Sequence, residues 1–301
     1  MSWPGIITAM VTTFTDEGVL DEGRAEFLAH WLVENGSEGL VVAGTTGESP
    51  TLSDSERAQL FSAVRRGAPT VPVYVGTGTN DTRHTVELSQ QAESWGANGL
   101  LVVTPYYNKP PQEGLFQHFA QVARAVSLPI MIYNVPGRTG CNIEASTVSR
   151  IAAVCPNVVA IKEAAGRLES LEALSRECPN IGLYTGDDAL FYPALTLGAR
   201  GVVSVAAHVV GPEMASLLSL VRGGDMAEAR RLHFKLQPVF RGLFDWPNPT
   251  AVKWMLNQLD ICVGPLRLPL VYPEDARGMQ RLRSLIEDLW RERAGHSAVA
   301  G

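Results

Sequence analysis

Lysine is scarce in this chain of 301 residues, occurring only as Lys109, Lys162, Lys235 and Lys253 while arginine is common. Lys162 follows the apolar run Val158-Val159-Ala160-Ile161, so its ammonium is either desolvated in a core or paired with a carboxylate. Burial without a partner disfavours the cation, and moving a lysine pKa from ~10.4 to near ~7 takes only about 4 to 5 kcal/mol. The resulting neutral amine is a nucleophile for carbonyl carbons. A structural lysine that snorkels, or that pairs with Glu48 or Asp187, fits the same run, and the strand context leaves both readings open. Glu163 is not the obvious partner, because adjacent strand residues point to opposite faces.

Three further stretches place polar groups where apolar runs end. Tyr133 closes the run that begins at Pro129; its phenol can shuttle protons through a hydroxyl relay, or simply cap a core. Thr45 and Thr46 in GTTGE supply hydroxyls, and their Gly-rich turn supplies N–H groups suited to a carboxylate, although such turns are common. Arg138 in PGRTG offers a planar fork to a second carboxylate, as surface arginines in loops also do. Cys141 has no histidine near it in sequence and reads as a small buried or loop residue.

The elements that must carry these residues repeat. Apolar runs begin at Ile6, Gly39, Pro72, Gly99, Pro129, Val158, Ile181 and Gly201, each followed by a polar turn and a helix-like stretch. Their unbroken Val/Ile/Leu character fits parallel strands covered on both faces. Helix signals lie between them: Phe27, Leu28, Trp31 and Leu32 form an apolar face ending at Asn35-Gly36, and Ser53-x-x-Glu56 is a capping box. Eight βα units imply an α/β fold of the (β/α)8 barrel type over residues 1–222. A doubly wound open sheet is the alternative, but GTGTN from Gly76 lacks the third glycine of a dinucleotide fingerprint. Residues 223–301 read as a helical appendage, with helices from Asp225, Pro249 and Glu274, too small to carry much chemistry alone, and a frayed end from Gly295 to Gly301.

A formal charge of −6 and an apolar content of 46% give no footprint for nucleic acid or an anionic membrane. The first residues lack the pattern of a signal peptide, and no apolar run is long enough for a membrane span, so a cytoplasmic location is expected. Cys141, Cys155, Cys178 and Cys262 form no C-x-x-C pair, and the histidines show no zinc spacing; reduced thiols and no metal are expected.

Taken in order, GTTGESPTL, TPYYNKPPQEGLFQHF, YNVPGRTG, AIKEAAG, TGDDAL, GVVSVAAHV, PNPTAVKWML and LRLPL resemble the dihydrodipicolinate synthase family. That family lies in the pyruvate-dependent class I aldolase superfamily, which includes N-acetylneuraminate lyase. The resemblance spans nearly the whole chain, and it implies that Lys162 forms an imine with pyruvate and that Tyr133 shuttles protons. Thr45 and Tyr107 would complete the relay, with Tyr107 supplied by a neighbouring subunit. Thr46 and the backbone around Val203 would bind pyruvate, Gly186 would line the pocket, and Arg138 would hold the carboxylate of L-aspartate 4-semialdehyde. The implied product is 4-hydroxy-2,3,4,5-tetrahydrodipicolinate, on the route to lysine and diaminopimelate. No cofactor is implied beyond the covalent imine, and the implied assembly is a homotetramer, a dimer of dimers.

The chain departs from the family pattern at one place. Many bacterial members bind lysine as an inhibitor, using a Glu where this chain has His84 and His residues where it has Asp54 and Arg57. Asn80 and Tyr106 of that site remain, and weak or absent lysine inhibition is expected. Competing readings are a related aldolase or lyase for 4-hydroxy-2-oxoglutarate, a 2-keto-3-deoxy sugar acid or N-acetylneuraminate, and a barrel that has lost catalysis and only binds ligands.

Overall fold

The computed structural model describes residues 3–274 and 277–299, with side chains described as far as residue 293. Each of the eight apolar runs forms a strand: β1 (Ile6–Ala9), β2 (Gly39–Val42), β3 (Val73–Gly76), β4 (Leu100–Val103), β5 (Ile130–Asn134), β6 (Val158–Glu163), β7 (Gly182–Thr185) and β8 (Gly201–Ser204). All neighbours are parallel, and β8 closes on β1 through the pairs Ile6↔Val202, Ile7↔Val203 and Thr8↔Ser204. Around the barrel run α1 (Glu22–Glu34), α2 (Asp54–Gly67), α3 (Thr82–Ser94), α4 (Gln112–Ala125), the single turn α5 (Pro136–Thr139), α6 (Ala145–Val154), α7 (Leu168–Glu177), α8 (Phe191–Thr196) and α9 (Ala207–Arg222). Three helices follow: α10 (Met226–Gly242), α11 (Thr250–Gln258) and α12 (Arg277–Val299).

Alternation along the strands sorts the residues into two cores. Leu40, Val42, Val73, Val75, Leu100 and Ile132 face outward under the helices, whereas Ile7, Val41, Tyr74, Leu101, Met131 and Val203 fill the barrel. Both faces are apolar, which is why the strands read as unbroken runs. Trp3 closes the N-terminal end, stacking on Tyr74 with centroids 3.7 Å apart, and its carbonyl accepts a 2.6 Å bond from the Tyr184 phenol. With that end plugged, polar chemistry is left to the opposite, C-terminal mouth.

The local signals act as their chemistry requires. The Ser53 hydroxyl accepts from the Glu56 N–H while the Glu56 carboxylate accepts from the Ser53 N–H, the reciprocal cap of α2. At the end of α1, Gly36 takes φ +91, where a glycine suffers no Cβ clash. The apolar face expected for α1 needs one correction: Phe27 is 56% exposed, and the buried stripe is Ala25, Leu28, Ala29 and Leu32. Small residues draw α1 and α2 together; a Cβ on Gly67 would stand 2.0 Å from the Glu26 carbonyl oxygen. That close approach turns Phe27 off the interface.

The last three helices begin close to their expected starts. Asp225 caps α10 by accepting from the Glu228 N–H at 3.1 Å. Gln237 of α10 donates to the Ala189 carbonyl at 2.8 Å, and the Trp290 indole of α12 donates to the Val209 carbonyl at 2.7 Å. The fraying expected from Gly295 is not seen as far as Val299, where the helical backbone continues; residues 300 and 301 lie outside the described residues. This region, expected to carry little chemistry alone, contributes to the mouth of the barrel: Asn248, Lys253 and Arg267 reach the turn after β2.

Candidate active site

Lys162 faces the barrel because β6 contains an irregularity. Ile130 of β5 pairs with Val158, but Met131 pairs with Ala160, so Val159 is an extra residue. Val158 packs in the outer shell, and regular alternation from it would aim Lys162 outward too. The extra residue reverses the parity, and Ala160 joins the interior while Ile161 lies outside. A bulge beside a reactive residue re-aims it, as here.

Inside, Lys162 is 5% exposed and its Nζ lies 4.2 Å from the centroid of the Tyr133 ring, on the neighbouring residue pair Tyr133↔Lys162. Tyr133 is itself 6% exposed. Gly186 leaves room for the lysine stem: a Cβ there would stand 2.5 Å from the Lys162 Cε. Val203 is fully buried in the same interior cluster as Tyr133. The structural alternative for Lys162 fails in part, since Glu48 is bound to Lys253. No carboxylate oxygen among the described residues lies within 4.0 Å of the Lys162 Nζ.

Two acids from TGDDAL surround this interior without pairing to the lysine. Burial pushes the Asp187 carboxyl above its ordinary range, against the N–H of Gly166, which it accepts at 3.0 Å, and the charge of Lys162. Asp188 is fully buried and accepts from the Val205 and Ala206 N–H groups at 3.1 and 2.8 Å. Burial raises its carboxyl to about 6, opposed by those bonds and by Lys162. Asp188 therefore shapes the turn after β8, a role the sequence reading missed; its signal was a second acid at a strand end.

On the outer face, Glu163 accepts from the Asn134 amide and the Ala165 N–H, each at 2.8 Å. Burial raises its pKa and the Asn134 bond opposes the rise. Asn134 also donates to the Asn142 side chain at 2.9 Å and accepts from the Ile143 N–H at 3.2 Å. One asparagine thus ties β5 to β6 and closes the base of the loop that carries Arg138. Arg138 is exposed on α5, with no carboxylate partner among the described residues.

The turn after β2 is held from several sides. Thr45 is half-buried, and Thr46 is 2% exposed with its hydroxyl accepting from the Asn248 amide at 3.0 Å. The Thr12 hydroxyl donates to the Gly47 carbonyl at 2.7 Å. Glu48 accepts from the Lys253 ammonium and the Arg267 N–H, both at 2.8 Å, with Glu48 and Lys253 almost wholly buried. Burial lowers the Lys253 pKa, and Glu48 pulls it back. Asn248, Lys253 and Arg267 lie in the PNPTAVKWML and LRLPL stretches, but no local pattern ties them to this turn.

Tyr107 is separated from the rest. It follows β4 with φ +71 and is 88% exposed, beside Tyr106 at 38%. Nearby, the Asn80 carbonyl accepts from Asn108 at 2.8 Å, and His84 lies 3.7 Å from Glu87. Arg57 is buried and donates to the Ser49 and Gly76 carbonyls at 2.7 and 3.2 Å; burial lowers its pKa while Asp54 and Tyr106 raise it.

Among the described residues, no group of three His, Cys, Asp or Glu is placed to hold a metal, and no helix is long and apolar enough to cross a membrane. All four cysteines are unpaired, and burial raises the Cys141 thiol, in keeping with an inert residue.

A closed parallel barrel with a plugged floor and a buried lysine at its mouth defines an enzyme of the (β/α)8 class. The chain belongs to the dihydrodipicolinate synthetase family, whose sequence profile matches residues 2–289. It is 49% identical over 302 aligned residues to the 4-hydroxy-tetrahydrodipicolinate synthase of Heliobacterium modesticaldum, with 100% of each chain covered. Among solved structures, the enzyme of this family from Cyanidioschyzon merolae with lysine bound is 46% identical, with a TM-score of 0.91 over 94% of this chain and 97% of that one. The dihydrodipicolinate synthase of Acinetobacter baumannii complexed with pyruvate is 38% identical, with a TM-score of 0.90 over 95% and 98%.

Proposed function

We propose that this chain condenses pyruvate with L-aspartate 4-semialdehyde to give 4-hydroxy-2,3,4,5-tetrahydrodipicolinate, serving lysine and diaminopimelate synthesis in the cytoplasm. The observation that carries the reading is Lys162, buried at the mouth of the barrel with no carboxylate within 4.0 Å. Its amine adds to the pyruvate carbonyl, and loss of water leaves an imine. The protonated imine withdraws electrons and acidifies the methyl group, so an enamine forms with no further cofactor. Tyr133, against the lysine, moves protons in these steps, with Thr45 and the Tyr107 of a second subunit as its relay. Thr46 and the backbone at Val203 hold the pyruvate portion in a pocket lined by Gly186. The enamine carbon attacks the aldehyde, whose distal carboxylate Arg138 binds. The substrate amine then attacks the imine carbon and releases Lys162 as the ring closes.

Such a relay makes a dimer the smallest working unit, within the expected dimer of dimers. Borohydride added with pyruvate should fix a mass adduct on Lys162, and its absence would sink the mechanism. Turnover of pyruvate with L-aspartate 4-semialdehyde should far exceed cleavage of 4-hydroxy-2-oxoglutarate, a 2-keto-3-deoxy sugar acid or sialic acid. Dominance of any of those would replace the substrate while leaving the imine.

Lysine feedback is weak or absent in this reading. The vestigial site around Asn80, His84 and Tyr106 offers His84 where an ammonium needs a carboxylate, and the buried Arg57, whose pKa burial lowers while Asp54 and Tyr106 hold it up, adds a second cation. Sub-millimolar lysine should leave turnover unchanged; inhibition in that range would overturn this point.

A further inference from the structure

We infer that Asn248 is a positioning residue that makes Thr46 a one-way hydrogen-bond donor toward the pyruvate carboxylate, an inference that rests on the function proposed above. A hydroxyl has one proton and two lone pairs, so its neighbours decide whether it donates or accepts. The Asn248 Nδ2 donates to the Thr46 Oγ1 at 3.0 Å, and among the described residues that hydroxyl has no other side-chain or backbone partner. The lone pair facing Asn248 is occupied, so the proton of Thr46 points elsewhere and awaits an acceptor. A carboxylate, which accepts and cannot donate, is the matching ligand group.

The amide orientation has its own support. Asn248 is 7% exposed, and its Oδ1 has no partner among the described residues. Reversing the amide would put an NH2 group in that unpartnered position, and an orphaned buried donor is rarer than an under-satisfied carbonyl oxygen. Both ends of the bond are also fixed. Thr46 directly precedes Gly47, held by Thr12, and Glu48, while Asn248 sits just before α11, whose Lys253 grips Glu48. The geometry is therefore built into the resting protein before any substrate enters.

The test is Asn248→Asp, nearly equal in size but offering only acceptors when ionised. The new carboxylate would take the Thr46 proton and place a negative charge near the incoming anion. The KM for pyruvate should rise by about 10-fold or more. The KM for the aldehyde and the rate of borohydride trapping at saturating pyruvate should stay within about 3-fold of wild type. A purely structural role would disturb both substrates alike. An unchanged pyruvate KM, or an equal rise for both substrates, overturns the inference. Should Asn248→Asp fold poorly, Thr46→Val and Thr46→Val/Asn248→Ser keep it testable: in the Thr46→Val background, Asn248→Ser should add almost nothing to the pyruvate KM. Fully additive effects would refute the coupling. If wild type fails to trap pyruvate, the function reading falls and this inference with it; normal trapping with an unaltered Asn248→Asp profile removes the inference alone.

Discussion

The turns after β2 and β4 each carry candidate hydroxyls, and each bends through left-handed backbone without glycine: Ala43 and Glu48 in one, Tyr107 and Lys109 in the other. Such residues cost of order 1 to 3 kcal/mol each, so both turns need compensation. After β2 the compensation is internal. Glu48 is locked by a buried lysine, Thr46 by a buried asparagine and Gly47 by Thr12. After β4, the Tyr107 N–H donates to the Thr139 carbonyl at 3.2 Å and Asn108 donates to Asn80, yet the Tyr107 ring stays 88% exposed. The first turn is organised within one chain. The second leaves a large aromatic ring exposed, a position open to the proposed relay with a second subunit.

The largest expected effect falls on the internally held turn. Lys253→Met removes the cation and leaves the Glu48 carboxylate buried and unpaired, which costs about 3 to 5 kcal/mol of stability. Urea unfolding should show it as a lower midpoint with an unchanged slope. A loss under about 1 kcal/mol would mean that the ion pair does not hold the turn. Tyr107→Phe is the opposite case. Stability should move by less than about 0.5 kcal/mol, while turnover falls about 100-fold or more. Mixing Tyr107→Phe with Lys162→Ala subunits sharpens the contrast, because each hybrid dimer contains one intact combination of Lys162 and Tyr107. Free remixing should restore about a quarter of the wild-type rate; no recovery would place both residues in one chain.

How legible these regions were depends on the range of the forces that shape them. The strands were readable because both of their faces are apolar, and Lys162 stood out because lysine is scarce. Its direction was not readable, since parity counted from Val158 aims it outward and only the register slip at Val159 turns it in. Phe27 misled for a related reason: α1 packs through Ala25 and Ala29 against a helix carrying Gly67, and the stripe follows the small residues. Glu48 and Lys253 are 205 positions apart. No local pattern links such a pair, so the contribution of residues 223–301 to the mouth emerged only in three dimensions.

The smallest effect concerns acid, and it again acts on the β2 side. His208 is fully buried, with Nδ1 donating to the Val205 carbonyl at 2.9 Å and Nε2 accepting from the Val11 N–H at 3.2 Å. Protonating Nε2 would set one N–H against another. Burial accordingly pushes its pKa down to about 4, against the Val205 bond. An unfolded histidine titrates near ~6.5, so as pH falls the unfolded chain takes up the proton first. The stabilisation is complete above about 6.5 and is lost as pH falls toward about 4, with a loss of about 1.4 kcal/mol by pH 5.5. Asp188 works in the opposite sense: its carboxyl is raised to about 6, so its contribution declines as pH climbs through that value. Because Val11 precedes Thr12, which bonds Gly47, loss of the His208 bond slackens the internally held turn rather than the exposed one. Urea unfolding at pH 7 and pH 5.5 should show His208→Gln with a shallower pH dependence than wild type. An identical slope would show that His208 contributes nothing to the acid sensitivity of this side of the barrel.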